Sequence, residues 1–199
     1  MTLLEAAKPH LSLDTPWKKM AWEKLEKLGL PTKKWDPFKY VSLKGLVERD
    51  IALHSSQFPE SEGALSLEEA LLKYGALLQK SYAEAIDAEK NPFALFNHAF
   101  CTEGQFLYIP PGKKVNLAWE FLLEKGLRAP KIEIFVGKGA ELDLSWKCYG
   151  KGDYFYNSSL QITLEEGARA NIHRFNEHHS DSYAMETVRA KLKRDAHLS

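Results

Sequence analysis

Ile132-Glu133-Ile134-Phe135-Val136-Gly137-Lys138-Gly139-Ala140-Glu141-Leu142-Asp143-Leu144 reads as two alternating runs joined at a glycine corner. Taking Gly139 as a marker, the same pattern recurs around Gly112, Gly167 and Asp195, at spacings of 27, 28 and 28 residues. Seven, five and three residues before the markers stand Gln105/Leu107/Ile109, Ile132/Ile134/Val136, Leu160/Ile162/Leu164 and Val188/Ala190/Leu192. One, three and five residues after them stand Lys113/Val115/Leu117, Ala140/Leu142/Leu144, Ala168/Ala170/Ile172 and Ala196/Leu198. Of these 23 positions 21 are apolar, with mostly polar residues between them. A fixed period of this length predicts a β-solenoid, in which each rung buries its face by stacking on the next. The pattern stops in the middle of its fourth rung, predicting an open strand edge near Ser199 and self-association there, as in a homodimer.

Glycine at the marker fits a tight corner needing positive φ, and Asp195 is a short polar substitute. The small Ala140, Ala168 and Ala196 just after the corner fit close approach of the chain.

Before the repeats the pattern is helical. Thr15-Pro16 marks a helix start, and Trp17, Met20, Ala21, Leu25 and Leu28 keep helical spacing until Gly29-Leu30-Pro31. Ser66 and Glu69 form a candidate capping box, followed by Leu67, Ala70, Leu71, Tyr74, Leu77 and Leu78 on one face. A further helical stretch through Tyr82 and Ile86 ends near Asn91-Pro92. Residues 32–59 are aromatic but aperiodic and read as loop with short helical turns. The expected organisation is a mainly α-helical domain over 1–91 and incomplete β-helix rungs over 92–199.

Composition narrows the function. Lys plus Arg equals Asp plus Glu, 27 each, so no overall field favours nucleic acid or an anionic membrane. Two cysteines, Cys101 and Cys148, make no disulfide framework or zinc motif and suit a reducing compartment. No signal peptide is evident over residues 1–14, and no segment approaches the ~20 apolar residues of a membrane span. A soluble cytoplasmic protein is expected.

Candidate chemistry is sparse. His173, Glu177, His178, His179 and Asp181 are a metal site in one reading, since imidazole and carboxylate suit zinc or iron. In the other they are a polar connection between rungs, which the outward register of His173 favours. Cys148 beside Lys147 is either a thiolate or a small buried hydrophobe, and Cys101 reads as packing. Trp17, Trp22, Trp35, Phe38 and Tyr40 read as pinning helices against the solenoid's end to cap its edge. Gly137-Lys138-Gly139 lacks the length and Lys-Ser/Thr ending of a phosphate loop. No residue is assigned as catalytic, cofactor-binding or metal-ligating, and the chain does not read as an enzyme.

Several segments in order resemble the SufB/SufD family of iron–sulfur cluster assembly proteins, and more closely its SufD branch. They are Gly29-Leu30-Pro31 through Trp35 to Phe38-Lys39-Tyr40-Val41-Ser42-Leu43, and Phe93-Ala94-Leu95-Phe96-Asn97-His98-Ala99-Phe100 with Gly104 and Leu107 to Gly112. The rungs Gly139-Ala140-Glu141-Leu142 and Gly167-Ala168-Arg169-Ala170-Asn171-Ile172 complete the resemblance. It implies a right-handed parallel β-helix behind a helical N-terminal domain, and a non-catalytic scaffold subunit. The implied partners are a SufB-like subunit and a SufC-like ATPase. The iron–sulfur cluster is handled at the level of that complex, and the family positions that handle it lie in the half not matched here. The resemblance thus reads the chain as the N-terminal half of a SufD-like protein, either a fragment or a short paralogue.

Two other readings remain. Pro110-Pro111-Gly112 is similar to a cupin turn, although Val115 stands where a metal-binding His is expected and no His-x-His lies upstream. A structural or carbohydrate-binding β-solenoid is the other.

Overall fold

The computed structural model describes residues 2–32, 35, 38–46, 58, 61, 63–101 and 103–199. The Lys44 side chain and the rest of the aromatic stretch up to Pro59 lie outside the described residues.

The rungs are built from two parallel sheets. One contains β2 (Gly104–Ile109), β5 (Lys131–Val136), β7 (Tyr154–Leu164) and β9 (Tyr183–Leu192), with the short β4 (Gly126–Arg128) pairing beside β5 on β7. The other contains β3 (Lys114–Leu123), β6 (Glu141–Gly150), β8 (Arg169–Glu177) and β10 (His197–Leu198). Register follows the sequence period, since Lys114 pairs with Glu141, Glu141 with Arg169 and Arg169 with His197. The chain is therefore a β-solenoid. Its parallel ladders exclude the cupin reading, which requires antiparallel double sheets.

All four markers turn the corner with positive φ: 68° at Gly112, 61° at Gly139, 66° at Gly167 and 56° at Asp195. No atom lies within 4 Å of a Cβ built on Gly112, Gly139 or Gly167, so conformation rather than space selects glycine. The corners also stack: the N–H groups of Gly112, Gly139 and Gly167 donate to the carbonyls of Lys138, Glu166 and Arg194, each at 3.0 Å. Inside, Leu107, Ile134 and Ile162 superpose in register, and Ala140, Ala168 and Ala170 are buried.

Four α-helices are described: α1 (Leu3–Ala7), α2 (Pro16–Leu28), α3 (Leu67–Ala88) and α4 (Pro92–Phe100). Pro16 opens α2 at its first turn and Gly29 ends it with φ of 72°. Its buried face is Trp17, Ala21, Trp22 and Leu25, whereas Met20 and Leu28 are exposed. Ser66 and Glu69 complete the capping box of α3. Between α2 and α3 the described loop includes a 3₁₀ turn at Lys44–Leu46.

The segment after Pro92 forms α4, not strand. All nine of its residues are buried, so it shows no polar face and no periodicity. Asn91 caps it and Pro92 sits in its first turn. Two buried amides fix it to the solenoid: Asn97 Nδ2 donates to the carbonyls of Pro130 (3.0 Å) and Asn157 (2.7 Å), and Asn157 Nδ2 donates to the Phe93 carbonyl (2.9 Å).

The tryptophans lie elsewhere than expected. Trp17 meets Tyr82 edge-on at 5.1 Å and Trp22 meets Phe100 at 5.8 Å, in a core shared with Phe106, Leu127 and Phe155 of the first sheet. The helices thus cover the outer flank of that sheet. Its end is capped by β1 (Ala64–Ser66), which pairs antiparallel with β2.

Candidate functional site

The solenoid interior changes character where the apolar columns reach β8 and β9. Trp119 pairs with Trp146 and Trp146 with Arg174, while Phe121 pairs with Cys148 and Cys148 with Asn176. Two inner columns that begin as aromatic rings therefore end as a guanidinium and an amide. The Trp119 and Trp146 rings lie 5.7 Å apart, and the Arg174 guanidinium sits 4.5 Å from the Trp146 centroid, a cation–π contact as the third layer. From the opposite sheet Glu186, in register with Ser158, meets Arg174 in an ion pair.

Further groups close the chamber. Asn176 Nδ2 donates to Glu186 Oε1 at 3.1 Å, and His178 Nε2 stands 3.8 Å from the same oxygen. His178 Nδ1 is 2.8 Å from the Tyr154 hydroxyl, which also accepts from the His179 N–H at 3.4 Å. A Cβ on Gly150 would stand 1.8 Å from that hydroxyl, so glycine is what lets Tyr154 reach His178. Arg174 and Glu186 are each about one-fifth exposed, so the chamber is neither dry nor open.

Cys148 lies beneath this chamber, fully buried. Burial, reinforced by the Glu186 charge and only partly offset by Arg174, pushes its thiol up to about 12. It is a protonated thiol at neutral pH, the opposite of the thiolate that nucleophilic or metal chemistry needs. Burial likewise raises Tyr156 far above the usual phenol range.

The sequence cluster from His173 to Asp181 does not converge. His173 faces outward on β8 and Glu177 is exposed, while only His178 turns into the chamber. His179 Nδ1 accepts from the Asp181 N–H at 3.3 Å in a local turn. Among the described residues no group of three or more His, Cys, Asp or Glu side chains is placed to hold a metal ion. Arg174, Asn176 and Glu186 escaped the sequence reading because its template ended five residues after and seven before each marker. Carried to seven and nine after, and nine before, it finds all three on the inner face.

A second polar group lies between the helices and the first sheet. The Lys131 ammonium, buried, sits 4.9 Å from the Tyr82 ring centroid. Burial lowers Lys131, with Glu133 opposing, and lowers His98 well below its usual value, with Lys131 adding to the effect. Burial raises Glu133 to about 7 against the pull of Lys131. Burial raises Tyr82, and the Glu133 carboxyl that its hydroxyl faces raises it further, while that hydroxyl pulls Glu133 down. Cys101 is buried, its thiol donates to the Glu103 carbonyl at 3.1 Å, and burial lifts it to about 11. Its placement is packing.

No helix among the described residues is long and apolar enough to cross a membrane. A family model described as the SUF system FeS cluster assembly SufBD core domain matches residues 122–199. A second, the SufBD protein N-terminal region, matches residues 51–119. No curated protein matches the chain. The two family matches follow one another almost without a gap and meet within β3, so one architecture accounts for both the helical flank and the rungs. The chain belongs to the SufB/SufD family of the SUF iron–sulfur cluster assembly system.

Proposed function

We propose that the chain is a SufD-like, non-catalytic scaffold subunit that acts in the cytoplasm through contacts with a SufB-like subunit and a SufC-like ATPase. The observation that carries this reading is the state of its thiols. Cys101 and Cys148 are both buried and held in the protonated form, so the chain's own cysteines are packing rather than cluster ligands. Arg174 and Glu186 pair with each other inside the solenoid, which suits a structural filling more than an activated nucleophile or base. In this reading the iron–sulfur cluster is cargo of the assembled complex.

Co-expression of tagged chain with a SufB-like subunit and a SufC-like ATPase tests the proposal, with size-exclusion chromatography reporting the assembly. A stoichiometric complex that carries iron and sulfide only when the SufB-like subunit is present is expected. Glycan binding by the isolated chain, or turnover of a substrate without partners, would contradict it.

A further inference from the structure

An edge strand presents a row of backbone N–H and C=O groups that a further strand can pair with. At the first rung the two sheets differ. β1 covers the edge of β2, whereas β3 pairs with β6 alone among the described residues. The Glu141 N–H donates to the Lys113 carbonyl at 2.8 Å, and in a parallel ladder alternate residues bond to the same neighbour. Lys113, Val115 and Leu117 therefore bond toward β6, and the N–H and C=O groups of Lys114, Asn116 and Ala118 point outward from the free edge. The far half of this rung's end is covered: Phe58 meets the Phe121 ring at 5.1 Å, and Ser61 accepts from Trp119 Nε1 at 3.3 Å. The near half is different. Val115 and Leu117 are only half-buried, although their partners one rung on, Leu142 and Leu144, are buried.

A groove of about 700 Å³ runs past this stretch, between the start of β3, the β1 segment and the second turn of α3. Ile109, Val115 and Leu117 line it with apolar surface. Its charged lining is Lys73, Lys113 and Lys114, with no Asp or Glu among the described residues. Lys114 pairs with Glu141 at 2.8 Å. Lys73 and Lys113 make no ion pair among the described residues, and the Lys73 ammonium lies 5.3 Å from the Tyr74 ring centroid. The first acidic residue along β3, Glu120, stands beyond the groove.

We infer that this groove receives an extended acidic segment of a partner protein, which adds to β3 as a further strand. The inference stands on the unpaired edge and the lining of one sign, and holds whether or not the chain enters a SUF complex. Main-chain bonds to Lys114, Asn116 and Ala118 supply affinity. Alternate apolar side chains of the segment cover Val115 and Leu117, and its carboxylates meet the lysines.

The test uses the full chain and a labelled synthetic peptide about nine residues long in which Val and Glu alternate, a strand pattern. Its counterpart carries Lys for every Glu. By fluorescence anisotropy the acidic peptide should bind at least about fivefold tighter than the basic one. The double variant Lys73→Glu/Lys113→Glu should remove or reverse that preference. N-methylation of alternate peptide groups should abolish binding in one phase and be tolerated in the other, because only one set of N–H groups meets β3. Asn116→Pro removes one outward N–H and leaves the bonds to β6, and should weaken the acidic peptide by at least about fivefold. Circular dichroism verifies that each variant is folded. Equal binding of the two peptides, binding untouched by the variants, the same effect of N-methylation in both phases, or no binding of either peptide would overturn the inference. Tighter binding of a single-stranded oligonucleotide than of the acidic peptide would also overturn it.

Discussion

Arg189 on β9 forms an ion pair with Glu89, one hundred residues earlier, at the point where α3 ends and the chain turns into α4. Glu89 is almost fully buried and also accepts from the N–H groups of Lys90 (2.9 Å) and Asn91 (2.7 Å). One carboxylate thus holds the elbow between two helices and ties it to the last long strand. Removing Arg189 leaves a buried charge with backbone partners only. Arg189→Ala should cost about 2–4 kcal/mol in denaturant unfolding. The double variant Glu89→Gln/Arg189→Ala should cost less than the sum of the single changes. Simple additivity would contradict this account of the pair.

The corners give a second prediction. Asp195 holds φ of 56° where three other rungs place glycine. Asp195→Gly should stabilise the chain by about 0.5–1 kcal/mol, and Gly167→Ala should destabilise it by about 1–2 kcal/mol through conformation alone. Gly137→Ala should cost more, because its Cβ would meet the Ile109 carbonyl oxygen at 2.8 Å. Thermal melts of the three variants check this order.

Glu133 and His98 give opposite pH dependences. Burial raises Glu133 from 4.5 to about 7, so the folded chain keeps a proton that the unfolded chain has lost. Its contribution to stability is complete below about pH 4.5 and is lost as pH rises to about 7. The depressed His98 acts the other way, favouring the folded chain above 6.5 and losing stability as pH falls. Glu133→Gln removes the first effect and leaves that of His98 in place. The variant should gain on the wild type by about 3 kcal/mol between pH 4.5 and 7, with no further gain above that. A difference that is flat across this range would contradict the burial of Glu133.

Thiol chemistry gives a fourth. With Cys148 lifted to about 12 and Cys101 to about 11, neither should react with a thiol reagent at pH 8 on the timescale of minutes. Both should react after unfolding in guanidinium. Rapid native labelling of Cys148 would mean that the chamber opens and exposes a thiolate.

The rungs were legible because three properties repeat together: alternation, a positive-φ corner and a period that equals the register. The capping box of α3 was legible for a similar reason, since Ser66 and Glu69 act locally. What escaped depends on tertiary context. α4 is buried on every side, so the periodicity argument fails, and only Asn91-Pro92 signals its start. Leu77 shares one face with Leu78 in the sequence reading, but the buried residues Leu67, Ala70, Leu78, Tyr82 and Ile86 centre on a helical direction from which Leu77 is turned by about 100°. Leu78 is therefore buried and Leu77 exposed. The polar chamber was hidden because Arg174 and Glu186 lie twelve residues apart in sequence on different sheets, and only the stacking of rungs joins them.

The proposed role of this chain is assembly with SUF partners. Its most direct test is a size-exclusion and native mass measurement on the chain co-expressed with a SufB-like subunit and a SufC-like ATPase. The account predicts one species containing all three polypeptides, with iron and sulfide dependent on the SufB-like subunit. Elution of the chain alone, with the two partners forming their own complex, would contradict it.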